Sequence, residues 1–293
     1  MNITLNAVVN GLILGCVYGI AGMTFGVLYR ITKVFHISFA AIGTLGAVVA
    51  VAVSGTSGSW TAITLGIIAG AAVAAVVTAA AFLALYRPLI RRGASAGITF
   101  IASLGAFMVI EAVVAIVAGP DDRKFSVMGF TRQSEVLGLK LSGLHVASLA
   151  LFVLVAAAIS FYFAKTRAGR QTRALIGNPE QAELVGIRVL LISTLMCAAM
   201  GGISIVAFAV NGMNSSVTFA GSLPLTLFGV LAMMLGGVDN LVQTGIAGLA
   251  VGAVGGLAAA ILPGQWSSTI VFALAMVYIV IRPTGGFLRV RAT

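Results

Sequence analysis

Few residues in this chain have the types and spacing needed for covalent chemistry. Gly93-Ala94-Ser95-Ala96-Gly97 matches GxSxG, a pattern that exposes a nucleophilic serine on a strand-to-helix turn. Here it follows the basic pair Arg91-Arg92 and opens an apolar stretch, and neither His36 nor His145 has an acid at a spacing that would complete a triad. HExxH and GK[ST] are both absent, so neither a zinc protease nor a Walker A phosphate loop is expected. Cys16 and Cys197 lie in separate apolar stretches and read as small packing residues, with no disulfide or metal site. Glu111 is the one acid well inside an apolar stretch. A buried carboxyl in a membrane is costly and points to function. Its position about two turns before Gly119 equally fits a local role at a helix end. The expectation is a chain that is not an enzyme and holds no cofactor or metal.

Residues suited to contact are more prominent. The stretch from Lys165 to Arg188 carries five of the 17 basic residues: Lys165, Arg167, Arg170, Arg173 and Arg188. Within it, Asn178-Pro179-Glu180 reads as a helix start, with a capping side chain, then proline at the first helical position, then an acid in the first turn. Ala182, Leu184, Val185 and Ile187 give that helix an apolar face, and Gly186 is placed to end it. A connector needs no such construction, so a docking element is expected. A helix resting on lipid headgroups is the alternative.

The elements that position these residues follow from composition. Only 8% of the 293 residues are charged and 60% are hydrophobic, too few charges to cover a soluble protein of this length. The net charge of +10 does not indicate nucleic acid, because the basic residues sit in short clusters between apolar spans, as in loops facing anionic lipid. The start, MNITLNAVVNGLILG, lacks the basic region of a cleaved signal, so the first span is expected to be retained. Spans of about 20 apolar residues are placed at Leu5–Tyr29, Val34–Val53, Thr61–Leu85, Gly97–Ala118, Leu144–Ala164, Val189–Ala209, Ser222–Gly236, Thr244–Leu262 and Ser267–Ile281. The fold class is therefore an all-α polytopic membrane helix bundle of about nine transmembrane helices. Eight or ten are the alternatives, because the seventh span is short and contains Pro224.

Thirteen basic residues fall on one side of these spans and four, Arg123, Lys124, Arg132 and Lys140, on the other, offset by Asp121, Asp122 and Glu135. The first side is read as cytoplasmic, with the N-terminus outside and the C-terminus inside. Trp60 and Trp266 then fall at the outer interface. Residues 119–143 form the one long outer loop, with a hairpin expected in VLGLKLSGL. Gly11, Gly15, Gly19, Gly22 and Gly26 share one helix face, as do Gly245, Gly248, Gly252 and Gly255, and both faces suit close helix packing. The stretches FHISFAAIGTLGA and NSSVTFAGSLPLT are polar interruptions in the two halves and suggest an inverted repeat. His36, Ser38 and Thr44 from the first, with Asn214, Ser215 and Thr218 from the second, are the candidate translocation path.

Several of these runs resemble the membrane subunits of bacterial branched-chain amino-acid ABC importers, the LivH type, over nearly the whole chain. NGLILGCVYGIAGMTFGVLYRI looks like that family's opening span, and LYRPLIRRG with ITFIASLGA like its first cytoplasmic loop and next helix. AGRQTRALIGNPEQAELVGI is similar to its ATPase-coupling loop, carried here by Gly169, Arg170, Arg173, Ala174, Asn178, Pro179, Glu180, Ala182, Gly186 and Ile187. RPTGGFLR at Arg282–Arg289 matches the usual ending. The coupling loop and the ending are the specific signals. The run after the first span departs: His36, Phe39, Ala40 and Ala41 stand where the family usually has Asn, His, Gly and Glu.

The resemblance implies a single permease domain over 1–293 of an importer in the bacterial inner membrane. It also implies partners: cytoplasmic ABC ATPase subunits, a second permease subunit (paralogous or identical), an extracytoplasmic solute-binding protein and membrane lipid, with no nucleic acid. Residues Gln171–Ile187, including Glu183, would be the coupling helix. A branched-chain amino acid is the implied solute, with urea, short amides or small organic acids as alternatives. A proton-coupled carrier using Glu111 is a further one, disfavoured by the scarcity of intramembrane charge.

Overall fold

A computed structural model describes residues 2–56, 58–119, 122–126, 133–136, 139–218, 222–261, 269–273 and 276–278. The chain runs through α1 (Asn2–Thr32), α2 (Ser38–Ser54) and α3 (Trp60–Ala81), then a π-helical turn at Phe82–Tyr86 and the short α4 (Arg87–Arg91). Next come α5 (Ala96–Ala118), the strands β1 (Gln133–Val136) and β2 (Leu139–Ser142), and α6 (Gly143–Lys165). The second half holds α7 (Arg167–Gly177), α8 (Pro179–Leu184), α9 (Val189–Asn214), α10 (Ser222–Gly236) and α11 (Leu241–Ile261). Eight of the nine predicted spans are helices, and the seventh has the predicted bounds. The ninth is helical at 269–273 and 276–278; the rest of it lies outside the described residues, as do Trp266 and Arg282–Arg289.

Six of these helices are long and apolar enough to cross a membrane, and the fold is an all-α polytopic membrane bundle. Apart from an isolated bridge between Arg123 and Val217, the β structure among the described residues is one antiparallel hairpin, in register from Gln133↔Ser142 to Val136↔Leu139. It begins earlier than the sequence suggested.

Burial sorts the helices into layers. In the most apolar window of α1, 83% of residues are buried, against 17% in α5. So α1 is the axis of the bundle, touching α6, α9, α10 and α11, while α5 turns Ile116 and Val117 outward, 82% and 79% exposed. Exposed apolar side chains on such a helix fit a lipid-facing surface, where apolar exposure carries no penalty.

Glycine decides how closely α1 packs. A methyl group on Gly252 would overlap the backbone of Gly15, and one on Gly248 the backbone of Gly19. The fourth contact on α11 is Gly256, beside Gly11, whereas Gly255 faces Val271. The sequence pattern had selected Gly255; the helix rotates its neighbour into the seam instead.

The ends of the bundle separate by charge. Lys33, Arg87, Arg91 and α8 share one cavity, and Arg30 Nε lies 4.0 Å from Asp239 in the α10–α11 turn at the same end. That turn has Gly237 at φ +89°, and Asn240 Oδ1 caps α11 by accepting from Gln243 N (3.1 Å). At the opposite end His145 Nε2 and Asn10 Oδ1 are 3.0 Å apart, and Arg123 pairs with Val217.

Candidate functional site

Two of the apolar helices are too short to span. At 1.5 Å per residue, α2 and α10, with 17 and 15 residues, reach about 26 and 22 Å against a hydrocarbon core of about 30 Å. Residues 33–37 lead into α2 from the basic end, and residues 215–218, ahead of α10, lie at the other. The two helices touch, and Leu223 packs on the Ala40–Ala41–Phe107 cluster. Polar interruptions thus enter from opposite faces, as the inverted-repeat reading requires.

On the side of Asn10 and Asn214 the bundle is hollow. A cavity of about 610 Å³ runs between α1 and α11 past Asn6, Asn10 and Asn214. A second, of about 280 Å³, is lined by Asn211, Ser215, Ser216 and Thr218. Both are walled by Tyr18 and Phe228, whose rings stack at 4.8 Å. The lining of both is amide, hydroxyl and apolar, with no ionisable group but the Tyr18 phenol among the described residues. Beneath them only about 20 Å³ remains where Thr44 and Ala47 meet Phe208, Asn211, Thr218 and Ser222.

Of the six predicted path residues, Thr44, Asn214, Ser215 and Thr218 therefore line this hollow and its floor. His36 and Ser38 do not join them. They lie toward the basic end, and Phe39 packs between, edge-on to Phe208 (6.1 Å) and Phe25 (5.7 Å). A methyl group on Gly43 would strike the Phe208 ring, so that ring seats directly on the α2 backbone. Tyr86 gathers the lower group: its hydroxyl is 2.6 Å from Ser38 Oγ and donates to Ser103 Oγ (3.0 Å). Ser38 N donates to Ser103 Oγ as well (3.1 Å). His36 lies edge-on to Tyr86 at 4.2 Å, with Nδ1 donating to Val34 O (2.8 Å) and Nε2 buried without a hydrogen-bond partner.

Sequence reasoning missed Tyr18, Asn10, Asn211 and Tyr86. A usable signal existed for three of them, since an amide or phenol inside an apolar span needs a polar neighbour. Tyr86 had none, because nothing in FLALY announces a π-helical turn.

The 165–188 loop forms two helices, which corrects the single coupling helix expected over Gln171–Ile187. Asn178, at φ −153°, breaks it. The first piece, α7, is tied to α6. Thr166 Oγ1 caps it by accepting from Gly169 N (2.8 Å), and Tyr162 OH meets buried Thr172 Oγ1 at 3.0 Å. Gly169 is pressed against the Tyr162 carbonyl, where no side chain fits. The Arg173 guanidinium bonds the Phe163 carbonyl, and both Arg173 and Arg170 are exposed.

The second piece, α8, carries the predicted cap: Asn178 Oδ1 accepts from Gln181 N (3.0 Å), with Pro179 at the first position and Glu180 in the first turn. Gly186, at φ +83°, closes it in a Schellman arrangement, in which Ile187 N donates to Ala182 O and Gly186 N to Glu183 O, both 3.0 Å. Leu184 and Val185 project, 85% and 76% exposed. Ile187, expected beside them, is half-buried.

Two other candidates resolve locally. Ser95 is the N-cap of α5, accepting from Ile98 N (3.4 Å), which accounts for the GxSxG serine. Glu111 is half-buried on α5 and lines neither the hollow beside Asn10 and Asn214 nor the basic-end cavity.

Residues 7–280 match the family described as branched-chain amino acid transport system / permease component, and the chain belongs to it. It is a multi-pass membrane permease component of the ABC-transporter kind. No curated protein matches it. Among solved structures it is similar to a chain of PsaBC from Streptococcus pneumoniae in complex with Fab, at 14% identity and a TM-score of 0.50, covering 97% of this chain and 94% of that one. At that identity the likeness concerns the fold alone.

Proposed function

We propose that the chain, taken over 1–293 as one permease domain, is the membrane subunit of a bacterial importer of the inner membrane, driven by separate cytoplasmic ABC ATPases. A second permease subunit and an extracytoplasmic solute-binding protein complete it. The basic end faces the cytoplasm, with the N-terminus outside and the C-terminus inside. The observation that carries this reading is α8, a helix fixed at both ends that presents Leu184 and Val185 to solvent. Exposed apolar side chains on a rigid, capped element are what a partner cleft can grip. Its immediate anchors are Gly169, Asn178, Pro179 and Gly186, with Glu180 and Glu183 exposed on its surface, Arg170 exposed on α7, Arg173 holding α7 to α6 and Ile187 seating its end.

The solute we infer is neutral overall, a branched-chain amino acid or a comparable zwitterion, or else urea or a short amide. Asparagine amides can donate to a carboxylate and accept from an ammonium, and the larger cavity, about 610 Å³, has a volume usual for small-molecule sites. A small organic acid is less well served, since no cation lines either cavity among the described residues. Thr44 and Thr218 mark the floor of the outer half. Ser38 and His36 mark the inner half, where the unpartnered His36 Nε2 is a group a passing solute would satisfy. Glu111 lies away from both halves, which favours ATP-driven movement over proton coupling.

The test is the double variant Leu184→Asp with Val185→Asp, reconstituted in liposomes with the ATPase and binding protein. Insertion should be normal, because both side chains lie outside the core, and solute-stimulated ATP hydrolysis should fall to the unstimulated rate. Full stimulation with normal ATPase association would reject α8 as the coupling element.

A further inference from the structure

The cavity at the basic end, about 450 Å³, is distinct from the path. Lys33, Arg87 and Arg91 line it, with Glu183 as the single acid among its described lining residues. Among the described residues, no carboxylate lies within 4.0 Å of any of the three cations. Three positive charges in one concavity repel one another, and an anion is the ligand that relieves them.

The rest of the lining says which anion. Phe82, Ile90 and Leu190 form an apolar wall, and Ile90 and Leu190 are themselves 42% and 41% exposed. That wall continues along α9 into Leu191 and Leu195, 48% and 58% exposed, and along the π-helical turn into Leu83, 41% exposed. The cavity is therefore bordered by cations on one side and by exposed apolar side chains on the other. A ligand that fills it needs a phosphate at one end and an alkyl chain at the other.

Lys33 adds a local sign. It is the one non-glycine residue at positive φ (+55°) among those described, at the position ending α1 where glycine is usual. Holding a lysine there costs about 1 kcal/mol, so its side chain is retained against the backbone preference. We propose that this cavity is a binding site for an anionic phospholipid of the cytoplasmic leaflet. Its headgroup phosphate is held by Lys33, Arg87 and Arg91, and an acyl chain lies along Phe82, Ile90 and Leu190.

The full-length chain, purified in neutral detergent and transferred to phosphatidylcholine nanodiscs with or without phosphatidylglycerol, tests this by native mass spectrometry. The wild type should retain phosphatidylglycerol in preference to phosphatidylcholine. The combined variant Lys33→Gln, Arg87→Gln, Arg91→Gln should weaken that retention on the order of a hundredfold. Arg92→Gln, which removes a neighbouring charge outside the cavity, should leave it intact. Should the triple variant not fold, Lys33→Gln and Arg91→Gln alone, both at exposed side chains, should each give a partial loss.

Equal retention by the triple variant would overturn the proposal. So would displacement of the lipid by inorganic phosphate at comparable concentration, which would assign the site to a free phosphate compound. Displacement by the ATPase subunit, with phosphatidylglycerol released on its binding, would assign the three cations to acidic side chains of that partner. Because lipid retention is read without ATP, none of these outcomes depends on whether α8 couples.

Discussion

Thr218 and Tyr86 separate two roles that polar side chains take inside this bundle. Thr218 lines a hollow, whereas Tyr86 closes a network with Ser38 and Ser103. Thr218→Trp should fill the floor of the hollow and abolish solute uptake while the protein inserts normally. Uptake at the wild-type rate would remove residues 215–218 from the path. Tyr86→Phe should act on stability, lowering the thermal midpoint in detergent by the loss of about 1 kcal/mol per hydrogen bond, with solute affinity unchanged. A shifted affinity would instead place Tyr86 in the path. Asn178→Ala should cost α8 about 1 kcal/mol and lower solute-stimulated ATP hydrolysis without dissociating the ATPase. At this scale the sequence was legible wherever chemistry is local. The Asn178 cap, the Gly186 stop and the Gly237–Asn240 turn each follow from neighbouring residues. His36 and Thr44, eight positions apart, looked like one site because sequence distance ignores Phe39 and Phe208, which come between them from two helices.

The helices themselves were the easiest feature to read, since a span is defined by its own composition. Their partners were not. The glycine faces of α1 and α11 announce close packing with something, but only the fold shows that they pack with each other and that Gly256, not Gly255, completes the seam. Gly252→Leu should therefore prevent the bundle from assembling, seen as loss of the monodisperse species in size-exclusion chromatography. Gly255→Leu, whose added carbon would meet Val271 Cγ2 at 3.6 Å, should leave most of that species intact. Equal loss in both would mean that the α1–α11 seam is not what the glycines provide. The division of the loop into α7 and α8 was also hidden. Asn178 reads as the start of one helix, and nothing nearby shows that another ends just before it.

For the molecule as a whole, the asymmetry of basic residues predicts which end meets the cytoplasm. Single cysteines replacing Thr56 and Lys124 should react with an impermeant maleimide on intact cells, and those replacing Arg92 and Arg170 only after permeabilisation. The reverse would invert the topology and move the proposed lipid site to the outer leaflet. Thr172, though in the same loop as Arg170, is fully buried and would stay silent from either side.

The clasp between α1 and α11 also sets an order of events in time. The ribosome makes α1 first, and its glycine face has to wait through more than 200 further residues before the helix that covers it exists. Over that interval the most buried span of the finished protein must be sheltered by lipid or by the insertion machinery. Chains interrupted before Leu241 should therefore reach the membrane yet be cleared by its quality-control proteases, because the final stitch comes only with the late arrival of the partner helix.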